Sequence, residues 1–439
     1  MVIETKTEYN DLIKRIKDKD VAIVIARDDY RNHPAESKPI LLSLSVDNVM
    51  YDVIYSHSES FSENLDIQDL SVAKRFWVDD LKEFYHLTKF ENSYDIKLNY
   101  YLEHKQYEEV PMPQVFSHIY ENNYLLRTAN QIIPLVKVLE FTRDRLESIV
   151  KKAKDIVIKK YYLKYNQALL TFAKLEEPGM RIKDGSFDTI FRNGYGYPNF
   201  NIYTATGRPS NTFRGINFGA MNKKDGTRSS IISRFDKGML VEFDYDAYHL
   251  RLLANILKFK VPKDESLHQY FADNVYKTSY EDSKKISWQI LYGNISVSEE
   301  ENPFFFKVDQ LANILYKYFS KNKHFKSYIY KKPFTSDSIT DVNKNKLLNY
   351  FIQSYETEQN IETISKLQKY LEVKETKMIL YTYDSFLFDL DRTEGLKTVL
   401  EIKKILQGGL FPVKTKAGLN YNSMKDISER LNGLKKSYK

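Results

Sequence analysis

The opening third of the chain alternates two kinds of hydrophobic pattern. Val21–Ala26 and Ile40–Val46 are near-continuous apolar runs bounded by polar residues, which predicts strands, and Tyr51–Tyr55 is a third candidate. The spacing then predicts a helix from Val72 to Leu87 and another around Tyr94–Leu102. The segment EEVPMPQ (108–114) carries two prolines and marks a boundary. From about Asn130 to Ala173 the pattern is helical with almost no breakers. Pro178, Gly179, Gly185, Gly194, Gly196 and Pro198 then return the chain to loops and turns. No internal repeat or low-complexity tract interrupts this order.

Two aspartates stand out further along. An apolar strand, Met239–Phe243, delivers Asp244 at its end, and Tyr248, Leu252, Leu253 and Ile256 continue with helical spacing. In MILYTYDSFLFDL (378–390), Asp384 interrupts two strand-like runs at the tip of an expected hairpin. Taken singly, the first is commoner as a helix cap and the second as a turn residue. As a pair on neighbouring strands of one sheet, they would offer hard oxygen ligands to two Mg²⁺ ions. Between them, Lys284, Trp288 and Tyr292 recur every four residues and so line one helical face. A lysine there can neutralise a triphosphate and a flat ring one turn on can stack beneath a base. The competing reading is an ordinary amphipathic helix with Trp288 in a core.

Composition narrows the partners only a little. The 439 residues carry a formal net charge of +7, mildly basic and compatible with a polyanionic partner. The segment 141–170 concentrates basic side chains (Arg143, Arg145, Lys151, Lys152, Lys154, Lys159, Lys160, Lys164), either as a solvated face or as a phosphate-contacting one. With no cysteine, disulfides and cysteine-ligated metal sites are excluded. No apolar run approaches the roughly 18 residues of a membrane span, and MVIETKTEYN lacks the apolar core of a signal peptide. The expectation is a soluble, intracellular, cytoplasmic protein with no membrane partner.

These motifs resemble those of the family A (polymerase I-like) DNA polymerases. Asp244-Tyr245-Asp246-Ala247-Tyr248-His249-Leu250-Arg251 is similar to the family's motif A, Asp-Tyr-Ser-Gln-Ile-Glu-Leu-Arg. Tyr383-Asp384-Ser385 is similar to motif C, His-Asp-Glu. Lys284 followed eight residues later by Tyr292-Gly293 resembles motif B. Phe200 to Arg208 (FNIYTATGR), Ser266-Leu267-His268, Asn349 to Ser354 (NYFIQS) and VKTKAGLNYN (413–422) match further family segments in the family's order. The N-terminal third more faintly resembles a 3′–5′ exonuclease domain. There Ile25-Ala26-Arg27 stands where the nuclease carries Asp-x-Glu, and Asp95 alone matches a second nuclease motif.

The resemblance implies an α+β right-hand polymerase with palm, fingers and thumb behind a degenerate exonuclease-like α/β domain. The expected division is 1–118 exonuclease-like, 119–195 thumb, 196–258 and 345–439 palm, and 259–344 fingers. It further implies catalytic Asp244 and Asp384, with Tyr245 joining them around two Mg²⁺ ions. His249, His268, Lys284, Trp288 and Tyr292 would meet the deoxynucleoside triphosphate, and Arg208, Asn349 and Gln353 the primer-template DNA. The implied activity is DNA-directed DNA synthesis without proofreading by a monomer, in a bacterium or a phage-infected cell, with compactness favouring a bacteriophage enzyme. Several positions depart from the family. His249 replaces the motif A glutamate that gates the sugar, Tyr280 replaces the motif B arginine, and Ser385 replaces the motif C glutamate. Lys277 is one candidate for the missing motif B charge. Serine at the last of these positions also occurs in single-subunit RNA polymerases. An RNA polymerase or primase on the same scaffold therefore stays open, as does a non-catalytic DNA-binding relic.

Overall fold

The computed structural model describes residues 1–30, 32–111, 134–186, 193–263, 265–293 and 297–437. They form two compact units, Met1–Ala173 and Lys174–Lys439. The boundary expected near 118 lies outside the described residues. No helix among the described residues is long and apolar enough to cross a membrane.

The first unit is built on a six-stranded sheet. Its elements begin with β1 (Val2–Ile3), α1 (Lys6–Ile16), β2 (Asp20–Arg27), β3 (Pro39–Val46) and β4 (Val49–Ile54). They continue with β5 (Arg75–Val78), α2 (Leu81–Thr88), β6 (Ser93–Asp95) and α3 (Ile96–Leu102). The order across the sheet is β1-β4-β3-β2-β5-β6, with an antiparallel β2-β3-β4 meander and parallel pairing elsewhere. The helix expected over 72–87 is instead a strand followed by a shorter helix. In Arg75-Phe76-Trp77-Val78 the buried residues alternate, which is the period of a strand, and Asp80 then caps α2 by accepting from the Glu83 amide.

The long helical pattern resolves into α4 (Leu135–Ala153) and α5 (Lys160–Glu176). Val138 and Phe141 of α4 pack on Ala26, Leu41 and Ile54, while Leu146 and Ile149 pack on Ala22, Val24 and Ile96. Several of the basic side chains are consumed within this unit. Arg143 pairs with Asp52, Arg145 pairs with Asp79 through two hydrogen bonds of 2.9 and 2.8 Å, and Lys159 pairs with Glu103 at 2.8 Å.

The second unit centres on a five-stranded antiparallel sheet. Its first strand, β7 (Met239–Tyr245), feeds α6 (Tyr248–Leu257). Four helices follow: α7 (Leu267–Phe271), α8 (Tyr280–Tyr292), α9 (Pro303–Asn322) and α10 (Lys344–Leu371). The chain then returns to the sheet as the hairpin β8 (Lys377–Thr382) and β9 (Ser385–Leu390). It crosses α11 (Gly395–Gln407) and closes with β10 (Val413–Gly418), β11 (Lys425–Asp426) and α12 (Ser428–Ser437). The strand order β8-β9-β7-β10-β11 puts β7 at the centre, so whatever β7 carries at its end is held by partners on both sides. Leu240, Ile379, Leu380 and Leu387 bury one face against Met180, Ile182, Phe218 and Ile231. Helix α10 is buried almost all round, including the polar residues Glu356, Thr357, Glu358 and Asn360, and a helix buried on every side is an interior one.

Candidate active site

The strand register brings the two aspartates together. Asp244, near the end of β7, lies opposite Ser385, the first residue of β9, and the Tyr245 amide donates to the Asp384 carbonyl at 2.9 Å. Asp384 shares the tip of the β8–β9 hairpin with Tyr383, whose φ of +62° is left-handed. That backbone is pinned from below. Asn360 of α10 donates to the Tyr383 carbonyl at 2.7 Å and to the Tyr381 hydroxyl at 2.9 Å, and accepts from the Tyr248 hydroxyl at 2.8 Å.

Packing and proximity mark the pair electrostatically. Burial, and then the charge of Asp384, push the Asp244 carboxyl up to about 7. Asp384 is exposed at its turn, yet desolvation and the buried Glu356 charge push it upward too. Two neighbouring carboxyls whose charged forms are both disfavoured are short of positive charge, and their all-oxygen chemistry suits a hard divalent cation. Tyr245 differs in kind. Its ring is buried and its hydroxyl donates to the Leu406 carbonyl at 2.8 Å, so its side chain is not placed to ligate a cation.

A cationic group gathers beside Asp244. Lys414 of β10 is its partner across the other side of β7, and directly opposed residues of an antiparallel pair project to the same face. The Lys414 ammonium stands 3.4 Å from Asp246 and 3.4 Å from the Tyr280 hydroxyl. Asp246 also accepts from Ser266 Oγ at 2.7 Å and from the Leu267 amide at 3.0 Å, which anchors the start of α7 and with it His268. His268 is buried against Tyr280. Burial, aided by the charges of Lys284 and Lys414, lowers its imidazole to about 4, so it is neutral at physiological pH. Helix α8 starts at the Ser279 cap and turns Ser283, Ser287 and Leu291 inward. Its other face leaves Lys284 exposed and Trp288 57% exposed, with the Tyr292 ring 5.5 Å from Trp288. Trp288 is thus not a core residue.

The third element is a polar stripe on α10. Asn349, Gln353, Glu356 and Asn360 fall at helical spacing along one side. Gln353 accepts from the Thr206 hydroxyl at 3.2 Å. Glu356 is fully buried, and its Oε2 lies 2.9 Å from Arg208 Nε and 3.3 Å from His249 Nε2. The Arg208 guanidinium stacks 3.6 Å from the Tyr383 ring centre, and His249 Nδ1 hydrogen-bonds to the Tyr292 hydroxyl. Arg208, His249, Tyr292, Gln353 and Asp384 thereby converge on one locality, with Asn349 one turn from Gln353.

Lys414, Glu356 and Asn360 escaped the sequence reading. Each lies inside an element whose pattern reads as ordinary strand or helix, and each acquires its meaning only from a partner far away in the chain. Lys277 does not stand beside Tyr280 in the way Lys414 does. Its ammonium donates to the Asp273 carbonyl within its own segment at 2.6 Å.

No protein-family model matches the chain, and no curated protein matches it in sequence. Among solved structures, the chain is similar to the POL domain of Pol1 from M. smegmatis, solved in complex with DNA primer-template and dNTP. The TM-score is 0.69 at 12% identity, over 96% of this chain and 99% of that one. The architecture is therefore the α+β right-hand polymerase fold.

Proposed function

We propose that the protein is a template-directed DNA polymerase that adds deoxynucleotides to a primer 3′-hydroxyl in the manner of family A enzymes. The observation that carries this reading is the adjacency of Asp244, near the end of β7, and Asp384, at the tip of the β8–β9 hairpin, with the ionisation of Asp244 suppressed by burial and by its partner. Asp244, Asp384 and the Tyr245 main-chain carbonyl are the groups that would hold two magnesium ions. Such ions, when bound, activate the attacking hydroxyl and neutralise the leaving pyrophosphate.

The chain's own residues then account for binding and alignment. Lys284 and Lys414 offer positive charge to a triphosphate, and His268, neutral, offers a hydrogen bond to it. Exposed Trp288, with Tyr292 beside it, offers a stacking surface to a base. Arg208, Gln353 and Asn349 present donors and acceptors to the primer end and the new pair, and His249 stands at the sugar. Catalysis in this arrangement is largely positioning and electrostatics. The division of labour under this reading is palm 196–258 and 345–439 and fingers 259–344, whereas helix α4, inside the segment 119–195 expected as thumb, packs on the N-terminal sheet.

The N-terminal domain belongs to the same proposal as a nuclease-like fold without nuclease chemistry. Where a metal-binding carboxylate pair would sit on β2, the Arg27 guanidinium is paired with Glu83 at 2.7 Å and donates to the Asn32 carbonyl at 2.8 Å. Asp95 is buried, with its two oxygens taken by the Leu81 and Leu98 amides at 2.9 and 2.8 Å. Both Glu83 and Asp95 are thus engaged within the protein. This suits a compact, non-proofreading enzyme of a bacterium or its phage, working as a monomer in the cytoplasm.

An RNA polymerase on the same scaffold is the second reading, favoured by Ser385 opposite Asp244 and by His249 at the sugar position. Primer extension with deoxy- and ribonucleotides in parallel, in magnesium, decides between them. Preferential use of deoxynucleotides supports the first reading, preferential use of ribonucleotides the second. No extension with either sinks both.

A further inference from the structure

Glu356 has no part in the mechanism above, yet it is a fully enclosed charge beside the site. A buried carboxylate is costly unless partners offset it, so its position is informative. Its partners are Arg208 and His249, and both approach the same oxygen, Oε2, at ion-pair distance but without hydrogen-bond alignment. These contacts, together, hold the carboxyl below its ordinary value against the opposing effect of burial. A carboxylate 3.3 Å from Nε2 favours the tautomer that carries its proton there, which leaves Nδ1 to accept from the Tyr292 hydroxyl. The ring of His249 is thus flanked at both nitrogens, hydrogen-bonded by Tyr292 of α8 at Nδ1 and facing the Glu356 carboxylate of α10 at Nε2.

We propose that Glu356 is a positioning residue for sugar selection, fixing the His249 ring against Tyr292 at the place where the sugar of an incoming nucleotide passes. The inference rests on the polymerase reading. A histidine free to rotate would leave room for a 2′-hydroxyl, whereas one flanked at both nitrogens presents a fixed surface. The same oxygen faces Arg208, so the group that orders the sugar gate also touches the residue assigned to the primer end.

The test is single-nucleotide primer extension by the full chain with dATP and with ATP, comparing wild type, Glu356→Gln, Glu356→Asp and Tyr292→Phe. Loss of the charge in Glu356→Gln should lower the ratio of kcat/KM for dATP over ATP by about tenfold, chiefly through a lower KM for ATP. Glu356→Asp, which keeps the charge, should recover part of the ratio. A merely structural carboxylate would depress both substrates equally, and an unchanged ratio in an active Glu356→Gln protein overturns the proposal while leaving the polymerase reading intact. So does a wild-type ratio near one. Should Glu356→Gln fail to fold, Tyr292→Phe decides, because it releases the other end of the ring without burying an unpartnered charge. An unchanged ratio there is equally fatal. Wild-type protein that extends with neither nucleotide removes both proposals at once.

Discussion

Lys414 faces Asp244 across the β7–β10 pairing, so a lysine and the strand-end aspartate share one face of the sheet within reach of Tyr280 and Asp246. On the polymerase reading, the positive charge missing at Tyr280 would come from this strand lysine. Lys414→Ala should therefore raise the KM for nucleotide about tenfold, with a smaller change in kcat, since a charge lost from a triphosphate site weakens binding first. Lys277→Ala should leave both constants unchanged within about twofold. Steady-state kinetics on the two variants separates these outcomes, and the reverse pattern would return the role to Lys277.

Asp244→Asn and Asp384→Asn should each reduce primer extension by about a thousandfold or more. Binding of a primer-template duplex, measured by fluorescence anisotropy, should stay within a few-fold of wild type. Either variant extending at the wild-type rate contradicts the assignment.

Trp288 lies far enough out of the core for its removal to be structurally cheap. Trp288→Ala should shift unfolding by less than about 0.5 kcal/mol, as for most surface substitutions, while weakening nucleotide binding by about 1 kcal/mol of lost stacking. Parallel thermal melts and nucleotide titrations check both halves. A large loss of stability with unchanged binding would make Trp288 a packing residue.

No trimming of single-stranded DNA from its 3′ end is expected in magnesium. Degradation that persists in Asp244→Asn would place a working nuclease in the N-terminal domain.

Asp95 gives a pH signature to that domain. Burial, followed by the charge of Asp80, raises its carboxyl to about 7 in the folded protein, against about 4 unfolded. A raised folded value favours the protonated form, so its stabilising contribution is complete below about pH 4 and lost as pH rises to about 7. Denaturant unfolding should show stability declining across that window by on the order of 1–2 kcal/mol more in wild type than in Asp95→Asn. Identical pH profiles would remove Asp95 as the cause.

The parts of the site that the sequence discloses are those written in short contiguous signals. Asp244 closes an apolar strand, Asp384 interrupts two, and Lys284, Trp288 and Tyr292 repeat at helical spacing, so each announces its own geometry. What stays hidden is reciprocal. Glu356 looks like one more charge in a long helix until Arg208 and His249 are seen to share its oxygen, and Lys414 looks like a solvated strand lysine until the pairing with Asp244 is known. The strand Arg75–Val78 was lost for a related reason, because four residues are too few for alternation to outweigh the helical spacing around them.

The turn at Tyr383 has a further consequence. A left-handed φ suits glycine, and a tyrosine in that conformation stores energy that its surroundings must offset. Asn360 grips its carbonyl and Arg208 lies over its ring, so the neighbours that keep the residue there also aim the aspartate that follows. Tyr383→Gly would relax the bend and forfeit that aim. On the polymerase reading, the hairpin's comfort and the rate of synthesis pull in opposite directions, and a search for heat-resistant variants would find this position at the expense of turnover.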